Sequence, residues 1–562
     1  MAARPQDPSK KIHRILHIAR EFGPLAGAGG IKDVTWGLCR ASANAGIITE
    51  MVLPHYRKVD EYLLRHKLSL KPLCSFVVRM DYGAYVRDEK IRVATCKIAN
   101  KLTLSLIKAD PFRYLAEQPE RKIPRHGIYQ YTREEALALK NPALEGRGYA
   151  DSFAQNVLLV KAALFILAHV SWRPDLVHCH DGHAALFPFI AQAGTDGYPP
   201  DLAHLPTLLT LHNAGKGYHQ ETEGLDYAQN ICGLDPGIAQ SAVAGCTLEG
   251  AFDPLLAGGI YGTAVNTVSE NYARELRETG LDAQTGWLGH RYAALGVSLT
   301  GITNGIDIET YHPCGAAALG LPCGFSPDEQ DWRGKALCKQ KSIAQLKDFK
   351  NSETAKKYGR LTQRTGRPLF TFVGRLSEQK GFDVLHAAIA RLLREDEKIG
   401  LWGLGKGDPR IVKKFQTLAE TYAGRVCFIE GYSPTHAHRV FASGDFFLIP
   451  SRFEPCGLTD FIAQLNGNLP IVHRVGGLVK TLDRRYGFSY LGGADALYLT
   501  MKRAIAVYRS PGKKQLRSMQ RDAFENIKRH FTWDKVLQQK YLPLYEGILE
   551  KAKPASPYLK TD

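Results

Sequence analysis

The sequence predicts an α/β fold: two Rossmann-like, doubly wound domains facing each other across a cleft. Three observations carry that expectation. Short β-rich runs alternate with Gly/Asn/Ser turns and helical stretches over most of the chain, as in doubly wound sheets. Several of these runs, such as LFTFV at 369–373 and DFFLIP at 445–450, are continuously apolar. Parallel strands buried on both faces have that character. The alternation breaks once, at the turn Thr303-Asn304-Gly305-Ile306-Asp307 and a Gly/Ala/Pro-rich stretch up to about Pro327, and is regular again from Leu369.

Taken in order, the first half predicts strands at 14–19, 49–53, 91–97, 104–109, 176–179, 207–211 and 265–269. Helices are expected at 31–44, after a glycine cluster, and at 153–170. The second half predicts strands at 369–373, 400–404, 425–430, 445–450 and 470–475, with a helix at 382–394. The domains then read as 1–313 and 330–530, joined by a linker at 314–329, with a C-terminal helical segment at 531–562 packing back on the first domain. Sheets of this kind bind ligands at the carboxyl ends of their strands, and domain interfaces commonly hold the site.

Composition excludes several classes. With 562 residues, 44% hydrophobic and 23% charged, the chain is neither disordered nor fibrous. Its most apolar stretch, 157–170, is interrupted by Lys161 and is too short for a bilayer, which takes about 20 apolar residues. The N-terminus lacks the apolar core and cleavage site of a signal peptide. Eleven cysteines with no C-x-x-C pair read as reduced thiols in a cytoplasm. The net charge of +17 is spread out, with no three Lys/Arg adjacent, so neither nucleic acid nor membrane is an expected partner.

Five motifs carry chemistry. Gly27-Ala28-Gly29-Gly30 precedes a helix, where close backbone approach and free N–H groups suit an anion; a tight turn without a ligand fits equally. VHCHDGHAA places His178, His180, Asp181 and His183 after a strand. Metal ligation is conceivable there, yet the spacing matches no zinc signature. Substrate contact and capping of the next helix are the other readings. LLTLHN ends an apolar strand in His212 and Asn213. GRLSEQKG presents Arg375 and Lys380 around a strand end, two cations suited to a diphosphate. EPCGLT sets Glu454 just before Gly457, Leu458 and Thr459, which open a helix.

Together these motifs resemble the bacterial glycogen and plant starch synthases, retaining glycosyltransferases of family 5 with the GT-B-type fold. GRLSEQKGFDVL, FIEGY, ASGDFFLIPSRFEPCGLT, LPIVHRVGGLVKTL and FTWDKVLQQKYLPLYEGIL carry the resemblance in the second half. GGIKDV, PDLVHCHDGHA, LHN, TVSENYARE and GITNGID carry it in the first. The resemblance implies glucosyl transfer from a nucleotide donor, usually ADP-glucose, to the non-reducing end of an α-1,4-glucan. It implies that Arg375 and Lys380 neutralise the donor diphosphate and that Glu454 holds glucose hydroxyls. Gly457, Leu458 and Thr459 would meet the phosphates, as would the loop at Gly29 and Gly30, and Tyr432 would stack on adenine. His212 would lie beside the transferred glucose, with Asp181, His183 and Asn213 nearby. Neither a metal nor another cofactor is expected, because cations and helix N–H groups meet the charge that develops on the leaving ADP.

The first half departs from the family pattern. Gly27 stands where K-x-G-G-L has its lysine, and Lys32, five residues on, is the candidate replacement. Pro254 and Ala257 stand at the Asn and Lys of N-x-x-K-x-G-I, Gly182 replaces a tryptophan, and AGKGY follows His212 in place of L-A-Y-Q-G. Two alternatives to an active glucan synthase therefore stay open: a nucleotide-sugar- or glucan-binding homologue that transfers poorly and regulates, and a related transferase with another acceptor. The intact EPCGLT and FTWD segments weigh against the latter.

Overall fold

The computed structural model describes residues 12–362 and 366–551, which divide into two compact units. The N-terminal unit runs to Gly305 and takes in the chain again from Trp533; the C-terminal unit is Ile306–Thr532.

The N-terminal unit holds strands β1 (Arg14–Ile18), β2 (Ile48–Pro54), β3 (Lys71–Asp81), β4 (Val86–Ala99), β5 (Leu102–Lys108), β6 (Leu176–His180) and β7 (Thr207–Leu211). After a short hairpin of β8 (Thr247–Leu248) and β9 (Ala251–Phe252), β10 (Ala264–Thr267) and β11 (Leu299–Gly301) return to the main sheet. The sheet order is β11-β10-β7-β6-β1-β2-β5-β4-β3. It is parallel from β11 to β5, with an antiparallel β3–β4–β5 edge. Strands β6 and β7 are buried at every residue, as parallel strands covered on both faces are. Strand β3 is mostly exposed, and the sequence gives it no continuous apolar run.

The C-terminal unit holds β12 (Ala355–Leu361), β13 (Leu369–Leu376), β14 (Gly400–Gly407), β15 (Arg425–Gly431), β16 (Phe446–Ile449), β17 (Leu469–His473) and β18 (Phe488–Tyr490). Their order is β12-β15-β14-β13-β16-β17-β18, parallel except for β12. Each sheet has one place where successive strands depart in opposite directions: between β1 and β6, and between β13 and β16. Chain connections leave a crevice there, outside the carboxyl ends.

Two expected boundaries are corrected. The change of unit falls at Gly305–Ile306, not at 313. The stretch 314–329 is no linker, because Leu319, Leu321 and Phe325 are buried with Cys338 and Ala442 inside the C-terminal unit. Its Gly, Ala and Pro signal irregular backbone, while three well-spaced apolar residues suffice to anchor it. The helix Ser152–His169 is long and apolar enough to cross a membrane, but 78% of it is buried in the N-terminal unit, as in a core helix.

The returning segment completes the N-terminal core. Trp533, Val536, Leu537, Tyr541, Tyr545 and Ile548 cluster with Ile15, Val34, Leu38 and Leu176. The indole of Trp533 needs bare backbone beside it: a Cβ on Gly37 would lie 2.0 Å from its Nε1. Trp533→Ala is expected to destabilise the N-terminal unit by about 3–5 kcal/mol, as for a buried aromatic. The unfolding transition of the C-terminal unit should stay in place. Denaturant titration with probes for each unit checks both.

Candidate active site

In the C-terminal unit the functional side chains gather at the crevice between β13 and β16. Arg375, next to the last residue of β13, is exposed. The following turn must lie against the end of β16: Gly381 adopts φ +69°, and a Cβ there would sit 1.9 Å from the Pro450 carbonyl. The two loops are zipped together. The Arg452 N–H donates to Gln379 O at 2.9 Å, and its guanidinium grips both Asp383 oxygens at 2.7 and 2.6 Å. This brings Lys380 Nζ to 2.7 Å from Glu454 Oε2, an oxygen that also accepts from Ser451 Oγ at 3.0 Å. The carboxylate and ammonium remain 16% and 28% exposed, open to a ligand.

The turn after Glu454 is fastened from the next strand's loop. Gly477 N–H donates to Glu454 O at 3.0 Å, and a Cβ on Gly476 would lie 2.0 Å from that same carbonyl. Lys480 Nζ donates to Cys456 O at 2.6 Å and Gly457 O at 2.7 Å, and pairs with buried Asp460 at 3.0 Å. Burial pushes the Asp460 carboxyl above its ordinary range, and the Lys480 charge opposes that shift. Gly457 takes φ +76°, after which Leu458 leads into the helix Thr459–Leu465. Lys480 lies in VGGLVKTL, a string visible in the sequence but with no spacing that ties it to EPCGLT. Tyr432 follows β15 on the same carboxyl edge. It is 64% exposed and lines a cavity of about 660 Å³ with Phe349, His436 and Arg439.

In the N-terminal unit the crevice lies between β1 and β6. Buried Glu21 holds the glycine loop, accepting from Ala28 N–H at 2.7 Å and Gly29 N–H at 2.8 Å. The Gly29 amide expected to face a phosphate is thus already engaged, whereas Gly30 is exposed at the start of the helix Ile31–Asn44. Lys58 Nζ donates to Gly27 O at 3.0 Å, a second cation at this loop that the sequence did not signal. Gly27 does not adopt a left-handed backbone. Its space is taken instead: a Cβ there would meet Lys32 Cδ at 2.1 Å. The Lys32 stem therefore lies where a side chain at 27 would start, with its ammonium 2.6 Å from Asp33.

Asp181 serves as a brace. It is 1% exposed, adopts φ +57°, and accepts the His212 N–H at 2.7 Å and the Asn213 N–H at 3.3 Å. The carboxylate faces the backbone of the His212 loop, and burial raises its pKa to about 7. The Asn213 side chain caps its own turn by accepting from Gly215 N–H at 2.9 Å. His183 is buried and stacked on Tyr129, with ring centroids 4.7 Å apart. His212 is 9% exposed, and burial lowers its pKa to about 3, so its ring is neutral. Behind it, His17, His178 and His180 bring ring nitrogens within 4.8 Å of one another, a grouping with the donor chemistry of a metal site. Both nitrogens of His178 are already engaged, by Tyr545 Oη at 3.0 Å and Thr210 Oγ1 at 2.6 Å.

Two of the departures in this unit are linked through His219 and Asp253. A Cβ on Gly182 would lie 2.4 Å from the His219 carbonyl, so the segment after His212 fills space that a larger residue at 182 would need. His219 pairs with Asp253 at 2.5 Å, which raises its pKa to about 9. Asp253 in turn caps the helix Pro254–Tyr261, in which Ala257 is fully buried.

Two doubly wound units, each with candidate residues at its switch point, have the architecture of the GT-B glycosyltransferases. Residues 14–286 match the model of the starch synthase catalytic domain, and residues 367–503 match that of glycosyl transferases group 1. The chain is 30% identical to the glycogen synthase of Anaeromyxobacter sp. (strain Fw109-5), over 95% of this chain and 99% of that one. It is also 30% identical to glycogen synthase 1 of Geobacter metallireducens, over 96% and 97%. The solved catalytic domain of starch synthase IV from Arabidopsis thaliana shares the fold, with a TM-score of 0.75 at 24% identity, over 96% of this chain and 99% of that one. The chain belongs to the glycogen and starch synthase family and is a glucosyltransferase that elongates a glucan.

The buried imidazoles set an acid limit. Burial holds His17, His178, His180, His183 and His212 below their ordinary pKa. Below about pH 6.5 the unfolded chain binds protons that the native unit does not, so stability falls as pH falls, by up to about 1.4 kcal/mol per pH unit for each group. Asp181, natively protonated up to about pH 7, works oppositely, its contribution growing as pH falls from 7 towards 4. Glu50, raised by burial, works in the same sense as Asp181, and the five imidazoles outweigh the two carboxyls. The N-terminal unit is expected to melt at progressively lower temperature between pH 6.5 and 5, and a level profile in calorimetry contradicts this.

Proposed function

We propose that the donor is ADP-glucose and that glucose passes, with retention of configuration, to the non-reducing end of an α-1,4-glucan such as glycogen. The observation that carries this reading is the Lys380–Glu454 pair at the β13/β16 crevice, with a carboxylate for sugar hydroxyls beside a cation for a diphosphate. Arg375 supplies the second cation, and the turn Gly457–Leu458–Thr459 supplies backbone donors. Tyr432 offers an exposed ring for adenine. The Arabidopsis starch synthase IV domain is described as bound to ADP and acarbose, which supports an adenine nucleotide in this crevice.

As the glycosidic bond to phosphate breaks, negative charge grows on the leaving ADP, where preorganised cations stabilise it most. Lys380 is held on station by Glu454 before the donor arrives, so little reorganisation is needed. His212, neutral and braced by Asp181, offers a hydrogen bond to the transferred sugar with Asn213 and His183 behind it. No metal is required in this scheme, because Arg375 and Lys380 carry the charge. Eleven free cysteines support a reducing compartment and a cytoplasmic site of action.

Radiolabelled ADP-glucose, offered with and without glycogen and with EDTA present, should leave label in precipitated polymer. Glu454→Ala should abolish that label in a folded protein. Lys380→Ala should cost about 10²–10³ in turnover, the loss seen when one preorganised donor is removed. Label from UDP-glucose alone, or near-normal turnover in folded Glu454→Ala, contradicts the assignment.

At the glycine loop we propose that Lys32 takes the phosphate contact that a lysine at 27 would make. Lys32→Ala should then weaken kcat/KM for the donor about 10- to 150-fold, the worth of a charge-assisted hydrogen bond of roughly 1.5–3 kcal/mol. Gly27→Lys alone should gain nothing, because the Lys32 stem blocks it. The double variant Gly27→Lys/Lys32→Ala should recover most of the loss. Wild-type kinetics in Lys32→Ala show that this lysine does not touch the donor.

A further inference from the structure

The histidines behind the N-terminal crevice are joined in a line. His17 lies on β1, His180 ends β6, and His212 follows β7. Nδ1 of His17 is 3.1 Å from Nε2 of His180, and Nδ1 of His180 is 3.0 Å from Nε2 of His212. The rings are stacked, with centroids 5.4 and 5.2 Å apart. His17 and His180 are 0% and 1% exposed, and His212 alone reaches the surface, at 9%.

A neutral imidazole has one donor and one acceptor. Each contact in the line takes one proton, so the three rings share only two arrangements. In one, every ring is protonated on Nδ1. His17 then donates to His180, His180 donates to His212, and His212 keeps an Nδ1–H for whatever lies at the strand end. In the other, every ring is protonated on Nε2, the bonds run inward, and His212 shows only a lone pair outward. The two differ at the far end. His17 Nε2 is buried without a hydrogen-bond partner. The second arrangement puts an orphaned N–H there, whereas the first leaves only an unused lone pair. Buried unpaired N–H groups are the rarer of the two in folded proteins.

We propose that His17 and His180 are positioning residues of a directional hydrogen-bond relay, which fixes His212 as an Nδ1–H donor to an oxygen of the bound sugar. The relay itself stands on geometry alone; its bearing on catalysis rests on the reading that His212 meets the transferred glucose. Burial, which keeps these rings neutral, supports it. In this arrangement His212 is a fixed donor that neither takes up nor delivers a proton during the reaction.

Neutron diffraction from crystals of the perdeuterated full-length protein reads the relay directly. Deuterons on Nδ1 of all three rings are expected. A deuteron on Nε2 of any of them overturns the proposal. So does a metal ion bound at His17, His178 and His180, found by elemental analysis at one equivalent per chain. Kinetics supply the functional readout. His17→Leu, which removes the donor to His180, should lower kcat about tenfold with KM for the donor unchanged. His17→Asn, whose side-chain amide stands where Nδ1–H does, should recover most of that loss. Equal losses in the two folded variants overturn the relay in favour of plain packing. If His17→Leu fails to fold, the deuteron positions decide alone. Normal turnover in His212→Ala with the expected deuterons leaves the relay standing and removes instead the role assigned to His212.

Discussion

Parallel strands whose connections depart in opposite directions cannot be covered by the same helix, and the uncovered notch is where the candidate site residues of each unit gather. In the C-terminal unit the notch lies between β13 and β16. Their trailing loops are forced together by Gly381 against the Pro450 carbonyl and by Arg452 gripping Asp383. Lys380 meets Glu454 as a consequence of that closure. Lys480 secures the turn below by capping its carbonyls, so the backbone donors at Gly457–Thr459 are aimed before any ligand arrives. In the N-terminal unit the same constraint places Glu21 and the glycine loop beside His180, Asp181 and, one strand further on, His212.

The departures from the family pattern are not scattered losses. Gly182 is small because the His219 carbonyl occupies its flank, and His219 is anchored to Asp253, which caps the helix containing Ala257. Ala257 is fully buried, so a lysine there would have to bury its ammonium, a costly change. Gly27 has surrendered its space to the stem of Lys32. Each substitution is matched by a neighbour, which fits an enzyme with a re-formed N-terminal site better than one decaying into a binding protein.

Much of this was legible in the residues. Strands buried on both faces often announce themselves as apolar runs, and all twelve expected strands fall on observed ones. The strands missed were those with weak patterns: β3 is largely exposed, β12 is an antiparallel edge, β11 and β18 are three residues each, and β8 and β9 are two. At the site, strand-end residues such as Glu454 and His212 could be picked out because a polar residue after an apolar run has to face something. Their supports could not. Glu21, Lys58 and Lys480 act across gaps of 7, 31 and 23 residues, at spacings set by the tertiary fold. Asp181 was visible as polar, but only its left-handed backbone turns the carboxylate inward toward the His212 amide.

The return of residues 533–551 to the first unit has a consequence for biosynthesis. The ribosome finishes Gly305 with that unit still lacking Trp533, Tyr541 and Tyr545, and the missing piece emerges only after the whole second unit. At translation speeds of about 5–20 residues per second, that is a wait of roughly 12–50 s. Throughout it, the flank built from Val34, Leu38 and Leu176, and the side of His178 that Tyr545 engages, stay uncovered. Unit two, being continuous, can finish first. The nascent first half thus has an open greasy flank for as long as the whole second unit takes to be made, a stage at which chaperone binding or pairing with a neighbouring nascent chain would decide its yield.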